Sequence, residues 1–116
     1  MSKLFPTLFS TFEIRGKTFK NRIFLAAHGT GFVEAGTIGE RGLEYYRARV
    51  TRGISLLITE ATHVIPLSGQ GYPQMSTASD DCLPGLGRLA EICAQNDCRF
   101  FGQLYRTSDF TSCRGL

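Results

Sequence analysis

The stretch Ile54-Ser55-Leu56-Leu57-Ile58-Thr59-Glu60-Ala61 is an almost continuous apolar run that ends in polar and small residues. Two further strand-like runs, residues 23–27 and 99–104, lead into Ala-Ala-His-Gly-Thr and Gly-Gln-Leu. Apolar runs of this length are typical of strands that are buried on both faces of a parallel sheet. Because the carboxyl ends of parallel strands share one edge, where the connecting loops converge, these three strand ends predict a common functional site.

Helix-length segments separate the three strands. Between residues 40 and 52, Leu43, Tyr46 and Val50 recur at i, i+3 and i+7, which predicts an amphipathic helix, and Gly53 is a suitable stop. A second apolar stripe at helical spacing consists of Leu83, Leu86, Leu89, Ala90 and Cys93. We therefore expect a β-α-β-α-β order with parallel pairing and right-handed connections.

The remaining segments complete this outline. Residues 12–19 form a short hairpin pattern with glycine in the turn, and residues 29–39, with four glycines, indicate a loop. Residues 62–79 contain two prolines and two glycines, and they indicate a long loop without regular structure. Such loops in compact domains are usually functional. Two architectures fit: a barrel cut short and a small open sheet. Because no G-x-G-x-x-G or Walker loop follows a strand, a nucleotide-binding open sheet is the weaker alternative.

Composition excludes several classes of protein. The 116 residues allow one small domain, and a dispersed net charge of +3 argues against nucleic-acid binding. No apolar segment approaches the roughly 18 residues of a membrane span, and the amino terminus has no secretory-signal pattern, so we expect a cytoplasmic protein. The four cysteines form no C-x-x-C pair and have no histidine at zinc-ligand spacing. They predict reduced thiols and no metal site, with Cys93 as a small core residue.

Several motifs, taken in order, carry a family resemblance. They are Lys20-Asn21-Arg22-Ile23, Ala27-His28-Gly29-Thr30-Gly31, Tyr45-Tyr46-Arg47-Ala48-Arg49, Gly53 with Leu57-Ile58-Thr59-Glu60-Ala61, Pro84-Gly85 and Gln103-Leu104. The set resembles the Old Yellow Enzyme or NADH:flavin oxidoreductase family, especially its dienoyl-CoA-reductase-like branch. The resemblance implies an α/β fold made of the first three β/α units of a TIM (β/α)8 barrel, truncated and preceded by a short amino-terminal β-hairpin. Residues 1–105 would be the amino-terminal portion of an FMN-binding barrel domain, and residues 106–116 a tail that departs from the family pattern.

The resemblance also implies a set of flavin-contacting residues, namely Ala26, Ala27, His28, Gly29, Ala61 and Gln103. Small side chains let the backbone approach a flat ring closely, and a carboxamide offers both a donor and an acceptor to the pyrimidine part of the flavin. Thr30 would either hydrogen-bond the ring or stabilise the glycine-rich turn. No residue of this chain matches a catalytic residue of the family, whose substrate-orienting pair and proton-donating tyrosine lie later in the barrel.

Other polar residues near the strand ends have structural interpretations. Glu60 is expected to pair with Arg22 or to cap a loop rather than to act in catalysis. His63 is expected in a surface loop. Tyr45 and Tyr46 are expected to be core and helix-surface residues rather than an active-site pair.

The activity implied by the resemblance is that of an FMN-dependent NAD(P)H:flavin oxidoreductase. In that family, reduced nicotinamide passes hydride to flavin N5, and the flavin reduces an activated alkene such as an enone or enoyl substrate. After Gln103-Leu104, however, the chain continues with Tyr105-Arg106-Thr107 and lacks the histidine and glycine-arginine usual in the family. The alternative is a non-catalytic truncated remnant or an interaction module without flavin, with neither nucleic-acid nor membrane partners.

Overall fold

A computed structural model describes residues 3–66 and 73–106. Its strands are β1 (Phe12–Ile14), β2 (Lys17–Phe19), β3 (Phe24–Leu25), β4 (Val33–Glu34), β5 (Thr37–Ile38), β6 (Leu56–His63), β7 (Met75–Ser76) and β8 (Arg99–Tyr105). Its α-helices are α1 (Glu40–Val50) and α2 (Leu83–Gln95), and a 3₁₀ turn, Asp80–Cys82, precedes α2. The predicted tail lies outside the described residues, apart from Arg106.

A parallel sheet organises the chain, with β6 in the middle. Strand β3 pairs with one side of β6 through Leu25 and Leu57, and β8 pairs with the other side, where Leu57 faces Phe100. Helix α1 lies between β3 and β6 in sequence, and α2 lies between β6 and β8. This confirms the predicted α/β class and the parallel β-α-β-α-β order.

Two short hairpins flank the first strand of this sheet. The β1–β2 turn has positive φ at Arg15 and Gly16 (47° and 73°), and the β4–β5 turn has positive φ at Ala35 and Gly36 (48° and 81°). Two successive positive φ angles match the twist of antiparallel strands in a two-residue hairpin. The amino-terminal hairpin is confirmed, whereas the prediction of a plain loop over residues 29–39 is wrong. That second turn has alanine where asparagine or aspartate is the usual sequence signal.

The core lies between the two helices and one face of the sheet. From α1, Leu43, Tyr46 and Val50 are buried, as the periodicity predicts. From α2 the buried residues are Gly85, Leu89, Ile92 and Cys93, whereas Leu83 is 58% exposed. The buried stripe of α2 is therefore rotated relative to the predicted one, because the helix approaches β5 through Gly85. Neither helix in the described part of the chain is long and apolar enough to cross a bilayer.

The opposite face of the sheet is largely uncovered among the described residues, apart from Phe19 of β2, whose ring meets that of Phe101 edge-on at 6.3 Å between centroids. Phe24 is 57% exposed and Phe101 47%, and Phe100 is the one residue of β8 that packs against the core. The prediction that β3 is buried on both faces is therefore wrong for this structure. The physical reason is that α1 and α2 cover the same side of the sheet.

Candidate functional site

A β-bulge places two of the predicted site residues side by side. Ile58 pairs with Phe101, but the next pair in register is Ala61 with Gln103, so β6 carries one extra residue. The backbone N–H of Gln103 donates to the hydroxyl of Thr59 at 3.2 Å, which replaces a ladder hydrogen bond. Because register partners point to the same side of a sheet, Ala61 and Gln103 share the uncovered face.

The loop that follows β3 reaches the same edge, because β3 is the parallel neighbour of β6. Four of the predicted site residues lie here, and each is exposed or half-buried: Ala26, Ala27, His28 and Gly29. The ring of His28 hydrogen-bonds through Nδ1 to the carbonyl of Ala26 at 2.8 Å and through Nε2 to the hydroxyl of Tyr45 at 2.5 Å. His28 is thus held in place at both ring nitrogens.

Helix α1 supports that histidine through Tyr45. The guanidinium of Arg49 lies 3.4 Å from the centroid of the Tyr45 ring and also donates to the Tyr45 carbonyl at 2.7 Å. A cation over a tyrosine face is attracted by the ring quadrupole and fixes its orientation. Sequence reasoning missed this role for Tyr45. The signal available was the spacing of Tyr45 and Arg49, which puts them one helical turn apart.

Glu60 fixes the loop after β3 to the end of β6. Its buried carboxylate accepts a hydrogen bond from the Thr30 hydroxyl at 2.7 Å and one from the Thr30 backbone N–H at 3.3 Å. The Thr30 hydroxyl in turn accepts from the backbone N–H of Phe32 at 3.1 Å. The loop-capping interpretation of Glu60 is confirmed, and so is the turn-stabilising interpretation of Thr30. Arg22 is not the partner of Glu60, since its Nε donates to Ser10 at 3.1 Å.

Tyr46 lies beneath this carboxylate in the core. Its side chain is 1% exposed, and its hydroxyl has no hydrogen-bond partner among the described residues. Burial, together with the negative charge of Glu60, raises the pKa of Tyr46 well above its ordinary value near 10. The core prediction for Tyr46 is confirmed, and the phenol is a neutral group at physiological pH.

His63 ends β6 and is buried, so its expected place in a surface loop is wrong. Its Nε2 hydrogen-bonds the side-chain oxygen of Gln74, and its ring meets that of Tyr105 edge-on at 4.8 Å between centroids. Strand β7, inside the segment predicted as a long loop, pairs in parallel with Thr62 and His63 and buries them. A two-residue strand has too little sequence for a periodicity to be recognised, and residues 67–72 lie outside the described part.

These contacts give the edge of the sheet a defined chemistry. Ala61 and Gln103 are register partners. The small residues that follow β3 lie at the same edge of the sheet, because β3 is the neighbour of β6. Across residues 3–66 and 73–106, no three histidine, cysteine, aspartate or glutamate side chains are grouped to hold a metal ion. The edge therefore combines small alanine and glycine residues with the exposed carboxamide of Gln103.

The chain is similar in sequence to a family of oxidoreductases. A family model described as the NADH:flavin oxidoreductase / NADH oxidase family matches residues 7–111. A metal reductase from Desulforamulus reducens is 26% identical over 103 residues, which cover 89% of this chain and 15% of that protein. An NADH oxidase from Thermoanaerobacter brockii is 29% identical over 110 residues, covering 93% of this chain and 17% of that protein. The chain thus spans about one-sixth of the length of these two relatives.

Solved structures give the same result. A 2-naphthoyl-CoA reductase in complex with 2-naphthoyl-CoA superposes with a TM-score of 0.81 at 27% identity, covering 90% of this chain and 16% of that one. The Old Yellow Enzyme homologue from Zymomonas mobilis gives 0.73 at 26% identity, covering 89% and 29%. The Old Yellow Enzyme from Trypanosoma cruzi, at 23% identity, shares the fold with a TM-score of 0.77, covering 87% and 27%. Because the family model extends over most of the chain, this protein belongs to the NADH:flavin oxidoreductase / NADH oxidase family.

Proposed function

We propose that residues 1–105 are the amino-terminal portion of an FMN-binding (β/α)8 barrel, comprising a hairpin and the first three β/α units, and that residues 106–116 are a tail outside that pattern. The support is the strand order. Strands β3, β6 and β8 are consecutive parallel neighbours with a helix in each connection, which is the repeating arrangement of such barrels.

The proposed function is that of an FMN-dependent NAD(P)H:flavin oxidoreductase. When bound, FMN supplies hydride transfer from reduced nicotinamide to an activated alkene. The single observation that carries this proposal is the Ala61–Gln103 register pair on the uncovered face. A small residue beside an exposed carboxamide suits a heterocycle that has both donors and acceptors along one edge.

The residues of this chain would act by binding and positioning. Ala26, Ala27 and Gly29 leave room for the ring to approach the backbone, and Gln103 hydrogen-bonds its polar edge. His28, held at both ring nitrogens, fixes the loop that carries these residues. The buried Glu60 ties the same loop to β6 through Thr30. Positioning of this kind is the protein's usual part when a cofactor carries the redox chemistry.

The proposed substrate is an alkene conjugated to an electron-withdrawing carbonyl, an enone or an enoyl thioester. The similarity to a 2-naphthoyl-CoA reductase supports the thioester class. The groups that would orient this substrate and donate its proton belong to parts of the barrel beyond the three units proposed for this chain.

Flavin titration of the purified chain tests the proposal. We expect the absorbance and fluorescence of FMN to change on addition of the chain, and the dissociation constant to rise about tenfold in Gln103→Leu, because a lost hydrogen bond of about 1.4 kcal/mol corresponds to that factor. Gln95→Leu is the matched control, since Gln95 is an exposed residue of α2 and lies away from the sheet edge. Equal affinity in the two variants would exclude Gln103 from the site.

A second candidate function is an interaction module without flavin. The uncovered face favours it, because Phe24 and Phe101 are exposed apolar side chains on this face that another polypeptide could cover. The same titration separates the two functions. A yellow protein with stoichiometric FMN would contradict the second candidate, whereas a colourless chain that self-associates in sedimentation experiments would contradict autonomous catalysis.

A further inference from the structure

Helix α2 ends in a Schellman motif whose two contacting positions are cysteines. The N–H of Cys98 donates to the carbonyl of Cys93 at 3.0 Å, and the N–H of Asp97 donates to the carbonyl of Ala94 at 3.4 Å. Asp97 has a φ of +47°, the left-handed conformation that this motif requires. The two end residues of the motif ordinarily make a hydrophobic contact, and here that contact joins two thiols.

The backbone brings these cysteines within bridging distance. Adding the 3.0 Å hydrogen bond to the Cα–N distance of Cys98 and the O–Cα distance of Cys93 gives an upper limit of about 6.9 Å between the two Cα atoms. A disulfide requires less than about 7 Å. Both side chains are buried and belong to the same core cluster, with Cys93 1% exposed and Cys98 6%. Both are free thiols in the core.

The surroundings make the two sulfurs unequal. The neighbouring Cys93 thiol, and then the positive charge of Lys20, lower the pKa of Cys98, although burial and the negative charge of Asp97 oppose them. The neighbouring Cys98, together with burial, raises the pKa of Cys93. Lys20 is fixed at this corner because its ammonium donates to the carbonyl of Asn96. Since thiolates are the nucleophiles, Cys98 is the attacking sulfur and Cys93 the resolving one.

We propose that Cys93 and Cys98 form a peroxide-oxidisable dithiol that closes into an intramolecular disulfide. The Cys98 thiolate attacks hydrogen peroxide, so that an S–O bond forms, the O–O bond breaks, and hydroxide leaves and takes up a proton as water. Cys93 then attacks the Cys98 sulfenic acid. An S–S bond forms, the S–O bond breaks, and the leaving hydroxide combines with the Cys93 proton as a second water. The two thiols lose two electrons, and the peroxide gains them.

The location gives this oxidation a structural consequence. Cys93 lies in the last turn of α2, and Cys98 immediately precedes β8, which carries Gln103. A disulfide would join the helix end covalently to the start of that strand. The site is separate from the proposed flavin edge, because Gln103 lies at the opposite end of β8 from Cys98.

Peptide mass spectrometry tests the pairing directly. Trypsin cleaves after Arg88 and Arg99, so both cysteines fall in one peptide, residues 89–99, and Cys82 and Cys113 fall in two others. The folded, reduced chain is treated with hydrogen peroxide, quenched with N-ethylmaleimide in denaturant and digested. We expect peptide 89–99 to be lighter by two hydrogens and to carry no label. Doubly labelled peptide 89–99, or a disulfide to Cys82 or Cys113 instead, would overturn the proposal.

Two variants test the assigned roles of the sulfurs. Cys93→Ser should accumulate a sulfenic acid at Cys98 that dimedone traps, whereas Cys98→Ser should give little dimedone adduct at Cys93. Lys20→Met should slow disulfide formation at least threefold, because it removes the charge that favours the thiolate. Equal dimedone trapping in the two serine variants would contradict the assignment of Cys98 as attacking sulfur. If a variant does not fold, the mass of peptide 89–99 from the unmodified chain still shows whether the disulfide forms.

Discussion

Replacing Gly85 with alanine should destabilise the chain, whereas the same replacement two residues later, at Gly87, should stabilise it. Both glycines belong to α2, but their surroundings differ. A Cβ atom at position 85 would lie 2.6 Å from the carbonyl oxygen of Ile38 and 3.3 Å from the Ile38 Cβ. A Cβ atom at position 87 would have no other atom within 4 Å. The pair therefore separates helix propensity from the close approach of α2 to β5.

The magnitudes follow from these distances. Alanine is favoured over glycine inside a helix by about 1 kcal/mol, so Gly87→Ala should raise the free energy of unfolding by up to that amount. Gly85→Ala gains a similar amount but adds an overlap with Ile38, and overpacking costs about 1–3 kcal/mol. Because a backbone oxygen cannot rotate away as a side chain can, the upper end applies. The expected net effect is a loss of about 2 kcal/mol.

Denaturant unfolding followed by far-ultraviolet circular dichroism measures both variants. The midpoint should fall for Gly85→Ala and rise for Gly87→Ala, with unchanged slopes, since the surface exposed on unfolding is the same. If Gly85→Ala proved as stable as the unmodified chain, the helix and the hairpin would not approach each other as closely as described. The packing that defines the second β/α connection would then need a different account.

Three further substitutions probe the core and the loop that follows β3. Thr30→Val should lower the free energy of unfolding by about 1.5–3 kcal/mol in denaturant titrations, because the buried carboxylate of Glu60 loses the hydroxyl that donates to it. Thr30→Ser, which keeps a hydroxyl, should retain most of that stability. Tyr46→Phe should raise the free energy of unfolding by about 1 kcal/mol at neutral pH, because it removes a buried hydroxyl without a described partner. Because the pKa of Tyr46 is raised in the folded state, its protonated form contributes stability below about pH 10, and this stability is lost as the pH rises further. The unmodified chain should therefore lose more stability than Tyr46→Phe between pH 9 and pH 11. An equal loss in the two proteins would contradict the raised pKa of Tyr46. Leu89→Ala should cost about 3–5 kcal/mol, whereas Leu83→Ala, at an exposed position of the same helix, should cost less than about 0.5 kcal/mol in the same thermal or denaturant assay.

Periodicity alone located the elements that are long enough to show it. The stripe of Leu43, Tyr46 and Val50 predicts α1 and its buried face, and the apolar run at residues 54–61 predicts the central strand. The extent of β6 was less accurate, since the strand begins at Leu56 and continues to His63. Thr62 and His63 have no apolar signal, because what buries them is a short strand, β7, supplied from another part of the chain.

Contacts between distant residues were not available from any pattern. The partner of Glu60 is Thr30, and a carboxylate after a strand gives no indication of which of many donors will reach it. The support of His28 by Tyr45 depends on where α1 packs against the sheet. Likewise, the exposure of Leu83 follows from the rotation of α2 about its axis, which Gly85 sets by allowing contact with Ile38.

The sequence by itself determined the class of fold, the order of the three main parallel strands and the two helices, and the family, because apolar periodicity and short ordered motifs are local properties of a chain. Only the tertiary structure decided that Ala61 and Gln103 share a face, since that depends on one extra residue at a bulge in β6. It also brought Cys93 against Cys98, through a left-handed residue that ends α2. Register and helix termination are set by hydrogen bonds between residues that must first be folded together, and for that reason they could not be predicted from local sequence.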